Sequence, residues 1–270
     1  MSFIKTLYYS LFRYFKDVKF ISKTYGWSFS IAVFCLFTSE VLKVVSFIIP
    51  LKIILLLSAD HIPQSLAPYM VFGTLHQWVI ILSFMTVFTY LLSIFFLYCS
   101  KVAVRKGGQT VRGVRQKDEK TWSSAKTRDV VVHYKMFSES LSDFILSAIC
   151  FSALVFVNIK VSTFIVVLVF LIVGVFSWMY RNLYLRRVVF GLKYKFLVEY
   201  TCQGTFFAIF LFMIFDYLLW SPINPILAMI TLIVSRRMMS ASDRFIKKLV
   251  RLQVVEKKAV TALMLERDPT

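Results

Sequence analysis

With 270 residues the chain is long enough for one or two water-soluble domains, but 59% of it is hydrophobic and 17% aromatic, at a mean hydropathy of +0.73. That composition leaves too few polar residues to cover a soluble surface, so the sequence predicts an all-α, polytopic membrane protein. The net charge of +18 (32 Lys and Arg against 14 Asp and Glu) takes its meaning from where the charges fall, and nucleic-acid binding is the disfavoured explanation of it.

Residues 1–26 carry Lys5, Arg13, Lys16, Asp17 and Lys19, which leave no unbroken apolar stretch of the kind a cleaved signal peptide needs. Ile4, Leu7, Tyr8, Leu11, Phe12, Phe15 and Val18 recur at helical spacing with the charges mostly opposite. The expectation is an amphipathic helix lying in the inner headgroup layer.

The first span, about 27–57, contains "SEVLKVVSFIIPLKIILLLSAD", with Glu40, Lys43 and Lys52 inside it and Pro50 interrupting it. Each ionised group near the centre of a lone membrane helix costs roughly 2.5–3.5 kcal/mol. At 1.5 Å per residue the span is about 45 Å long, which sets Glu40 and Lys43 near mid-depth. Three residues apart, they share a face and are expected to pair. The pair serves either to fix helix packing or to line a substrate path. Lys52, toward the outer end, is expected to snorkel, and Pro50 to permit a bend.

Span 2 (78–99) is followed by the basic stretch 101–141, whose first part continues the span as a helix that Gly107 and Gly108 are expected to loosen. "DEKTWSSAK" predicts a turn, and "RDVVVHYKMFSESLSDF" a climb into span 3 (142–159), with Asp143 near that span's inner end. Span 4 (161–180) follows almost at once, and span 5 (197–219) contains Asp216, which joins Glu40, Lys43 and Lys52 as a candidate for the substrate path or buried charge pair. The weakest span is the sixth, about 226–250, which opens as "ILAMITLIV" and then meets Arg236 and Arg237.

Segments 1–26, 101–141, 181–196 and 236–270 hold five, ten, five and nine basic residues, or 29 of the 32, while 58–77 and 220–225 hold none. The positive-inside rule makes the basic side cytoplasmic, in the inner membrane, with both termini there, and the pattern requires an even number of spans. The chain therefore divides into an interfacial helix (1–26), a six-helix membrane domain (27–250) and a cytoplasmic tail (251–270), with membrane lipids as partners.

Cys35, Cys99, Cys150 and Cys202 all fall within or at the ends of spans and have no metal-ligand spacing. They read as free thiols used as small apolar residues, and no metal site is expected. The eight glycines form no G-x-x-x-x-G-K-[ST] phosphate loop, and neither H-E-x-x-H nor G-x-S-x-G occurs. An enzymatic role is not expected, and no cofactor is expected on this chain.

An entry helix is followed by a long first span with a late proline, then by a second span continuing as "SKVAVRKGGQTVRGVRQ". "FSESLSDFI" re-enters the membrane, "VNIKVS" joins spans 3 and 4, and "LIVSRRMMSASDRFIKKLVRLQVVEKKAVTAL" emerges at the end. In this order the chain resembles the transmembrane domain of type I ATP-binding-cassette exporters over most of its length. The resemblance implies a homodimer or heterodimer, with ATP hydrolysed by a separate nucleotide-binding subunit. It also implies contact with that subunit through the inner loop that holds Asp118, Glu119, Trp122 and Asp129. Only about 16 residues, "RNLYLRRVVFGLKYKF", separate spans 4 and 5, too few for the long coupling hairpin of that family. Two functions remain: a membrane subunit of an exporter for amphipathic cargo, a lipid-linked molecule or a peptide, or an ATP-independent pore, scaffold or anchor on the same fold.

Overall fold

A computed structural model describes residues 3–58, 75–118, 124–181, 194–219 and 225–265, and all of them are helical except Asn158. In chain order the helices are α1 (Phe3–Ser58), α2 (Leu75–Asp118), α3 (Ser124–Val157), α4 (Ile159–Arg181), α5 (Tyr194–Leu219) and α6 (Pro225–Leu265). Five of them contain segments long and apolar enough to cross a membrane: Trp27–Ile54, His76–Gly107, Tyr134–Val157, Ile159–Trp178 and Phe196–Asp216. The fold is that expected of a multi-pass membrane protein. The helical run of α6 is not among the five.

The helices are longer than the apolar runs that seeded them, because backbone hydrogen bonding continues wherever no breaker intervenes. α1 is helical across residue 26 and α6 across residue 250, so neither proposed domain boundary coincides with a helix end. α2 continues through Gly107 and Gly108 to Asp118 without interruption. Gly107 is needed for a close approach: a Cβ built there would overlap the Tyr134 hydroxyl and stand 2.6 Å from its Cζ. Asp143, expected near the start of a span, lies about five turns inside α3, since that helix begins at Ser124. A carboxylate this far in gains nothing from the helix terminus and needs cations from neighbouring helices.

Between α3 and α4 the chain turns at Asn158. Its backbone amide closes the last bond of α3, on the Leu154 carbonyl at 2.8 Å, and its Oδ1 accepts from the Val161 amide at 3.2 Å. A single asparagine thus ends one helix and caps the next.

Packing follows small and polar residues as much as large apolar ones, as expected where lipid supplies no hydrophobic drive between helices. Ser39 of α1 donates to the Ser93 carbonyl of α2 at 2.8 Å, and Ser147 of α3 meets Ser242 of α6 at 2.8 Å. The main core joins α3, α4, α5 and α6 through Leu146, Leu154, Val161, Ile209 and Met238, with Phe164 and Phe212 stacked at 4.3 Å. The N-terminal half of α6 is therefore inside the bundle, although its hydropathy does not announce it.

α1 cannot be straight. Tyr14 stacks on Phe137 and Phe15 meets Phe144, fifteen residues later Phe29 meets Tyr134, and Glu40 then returns to the level of Asp143 through Arg244. The contact point descends α3 and climbs it again, so the N-terminal arm lies bent across the α3–α6 pair. Its buried stripe is Leu11, Tyr14 and Val18, while Phe12 and Phe15 from the expected apolar face are exposed.

Candidate functional site: an ion network across three helices

The expected Glu40–Lys43 pair exists, with Lys43 Nζ 2.8 Å from Glu40 Oε1 one turn away. It is one end of a larger network. Arg244 of α6 reaches Glu40 Oε2 at 3.5 Å and donates from Nε to Asp143 Oδ1 of α3 at 2.9 Å. Lys248, one turn further along α6, donates to Asp143 Oδ2 at 2.8 Å and reaches Glu139 at 3.2 Å, and Lys135 lies 3.8 Å from Glu139. As α3 runs from 139 to 143 to 147, α6 runs from 248 to 244 to 242, so the two helices are antiparallel with charges in register.

Asp143 determines the energetics. Its side chain is only 8% exposed, and both oxygens accept charged hydrogen bonds. An isolated carboxylate there would carry a desolvation cost of several kcal/mol, which two cations with good geometry offset. Arg244 and Lys248 each bridge two carboxylates, so the loss of one link does not free either helix. A second, smaller cluster ties α5 to α6, where Lys247 donates to Glu199 at 2.9 Å and to Asp243 at 2.8 Å. Arg237 lies 5.6 Å above the Phe47 ring.

The other proposed site residues are distributed differently. Asp216, 1% exposed, pairs with Lys160 at 3.0 Å, at the opposite end of the α5 span from Glu199, and so does not join Glu40. Lys52 is exposed. Asp118 ends α2 and Asp129 falls in the first turns of α3, on an α2–α3 hairpin that runs beyond the apolar segments; Glu119 and Trp122 lie outside the described residues.

Sequence reasoning missed Arg244 and Lys248 as partners, yet a signal was present. "ESLSD" spaces two carboxylates at i, i+4 and "RFIKK" spaces two cations the same way, the requirement for two facing helices. The Lys160–Asp216 pair, 56 residues apart, had no such signal.

Beside the network a cleft of about 570 Å³ opens between α5 and α6, lined by Glu199, Phe206, Phe207, Arg236, Asp243 and Arg244 among others. Among the described residues no group of three or more His, Cys, Asp or Glu side chains is placed to hold a metal ion. Outside the apolar segments, burial pushes the Tyr14 phenol up to about 12, with the nearby Ser140 hydroxyl opposing the rise and the Asp143 charge adding to it. Comparison with protein-family models, with curated proteins and with solved structures finds no match to this chain.

Proposed function

We propose that the chain is the membrane-spanning subunit of a transporter that works with a separate ATPase chain on an amphipathic cargo. On this reading α6 is the sixth span, both termini are cytoplasmic in the inner membrane, and the working unit is a homodimer or heterodimer. The observation that carries the reading is the placement of α6. One continuous helix of 41 residues passes through the bundle core, holds the ion network that ties it to α1 and α3, and continues beyond it as a basic stretch. Such a helix joins a soluble partner at one end to charges inside the bundle at the other. The α2–α3 hairpin supports the same reading, because α2 extends eleven residues past Gly107 and offers a second contact at Asp118 and Asp129.

One observation favours the alternative, an ATP-independent pore, scaffold or anchor. The described part of α4 reaches Arg181 and that of α5 starts at Tyr194, so only 12 residues lie between them, and the described residues include no second long arm. Affinity purification of the chain from its native membrane in mild detergent separates the readings. A stoichiometric partner carrying a phosphate-binding loop, released by Asp118→Lys with Asp129→Lys, is the expected result. A stable partner without such a loop, or a chain that functions alone, would establish the alternative.

A further inference from the structure

We infer that the cleft between α5 and α6 binds a glycerophospholipid whose headgroup ends in a primary ammonium. At about 570 Å³ the cleft has the size of a small-ligand pocket. Its α6 wall places Arg236, Ser240 and Asp243 at i, i+4 and i+7, on one face and about 10 Å from end to end. That distance, shortened by the reach of an arginine, suits a phosphate and an ammonium joined by two carbons. Across from it stand Phe206 and Phe207, and Phe207 is largely exposed on the lipid-facing side, along which acyl chains would run.

The charges select the headgroup. The wall presents both signs, Arg236 and Arg244 beside Glu199 and Asp243, and a zwitterion offers a group to each where an anionic lipid offers one only to the cations. Arg244 is engaged with Asp143 and Glu40, but Arg236 has no ion-pair partner among the described residues. Its forked donors match a phosphate. Asp243 accepts from Lys247 through Oδ2, while its buried Oδ1 accepts no hydrogen bond among the described residues. A primary ammonium supplies the missing donor as the carboxylate turns toward the cleft, and a trimethylammonium has no N–H to give. The inference does not depend on the transport reading, because a lipid held here could be cargo or a fixed structural lipid.

The test uses the full chain, delipidated in detergent and offered equimolar phosphatidylethanolamine, phosphatidylcholine and phosphatidylglycerol, with retained lipid read by native mass spectrometry. Phosphatidylethanolamine should be retained about tenfold over the other two, and Arg236→Gln should lower its retention about tenfold, the scale of one charged hydrogen bond. Because Arg236 breaks no ion pair, its variant should melt as the wild type does, which separates loss of binding from loss of fold. Asp243→Asn should erase the preference for ammonium over trimethylammonium. Equal retention of all three lipids, or an Arg236→Gln variant that binds as before, would overturn the inference. So would displacement by inorganic phosphate alone, since that would make the cleft a simple anion site. Continued retention against both inorganic phosphate and glycerophosphoethanolamine supports a lipid.

Discussion

The coupling between Asp143 and Arg244 can be measured with a double-mutant cycle, Asp143→Asn, Arg244→Met and the two together. Arg244→Met removes a 2.9 Å charged hydrogen bond from a carboxylate that is 8% exposed, while Lys248 stays at 2.8 Å on its other oxygen. Losing one of two such bonds costs about 1.5–3 kcal/mol, and the 3.5 Å contact to the half-buried Glu40 adds less than about 1 kcal/mol. Asp143→Asn should cost less, because Arg244 is 39% exposed and keeps Glu40, and Lys248 keeps Glu139. The double variant should therefore recover about 1–3 kcal/mol relative to the sum of the singles. Reversible unfolding in mixed micelles, followed by circular dichroism, reads all three. Additive losses would refute the pairing, and equal single losses would refute the argument from unequal burial.

Gly107→Ala should destabilise by about 1–3 kcal/mol, because its Cβ would overlap the buried Tyr134 ring, whereas Gly204→Ala, with nothing within 4 Å of its Cβ, should be neutral or slightly stabilising in the same assay. Tyr14→Phe should be neutral to mildly stabilising at pH 7, since it removes a buried hydroxyl that has no hydrogen-bond partner among the described residues. At high pH the two forms should diverge: the folded-state value of about 12 exceeds the ordinary 10.0, so the neutral phenol is the form the fold favours. That contribution is complete below pH 10 and is lost as the pH rises toward and through 12, so the wild type should lose stability more steeply there than the variant. Parallel slopes would contradict the burial of this phenol.

Most of the architecture could be read from the sequence because a membrane imposes a simple rule: about 20 apolar residues make a span. Five segments obeyed it, and their helices formed where expected. α6 obeyed it only in part, because hydropathy scores each segment as though it stood alone in lipid. Arg236, Arg237, Asp243 and Arg244 lower its score, yet Arg244 has its counter-charges on α1 and α3 and Asp243 has one beside it in Lys247. The Glu40–Lys43 pair was legible because both partners lie one turn apart on one helix. The rest of the network depends on which helices are neighbours, and composition does not carry that information. The bend in α1 was hidden for a related reason: between Phe15 and Phe29 the sequence has no proline and a single glycine, Gly26, a weak mark for a place where contacts with α3 and α6 turn the arm.

The charges of α6 also bear on biogenesis. Presented to the insertion machinery by itself, a helix with four ionised groups near its middle faces a barrier of roughly 10 kcal/mol, beyond what its short opening run "ILAMITLIV" offsets. On the six-span reading α6 enters the membrane only after the carboxylates of α1 and α3 are in place to receive it, and both helices precede it in the chain, so the order of synthesis is the order that assembly requires. A lesion at Asp143 would then do its damage before folding is complete, by leaving α6 in the wrong compartment for quality-control proteases to find.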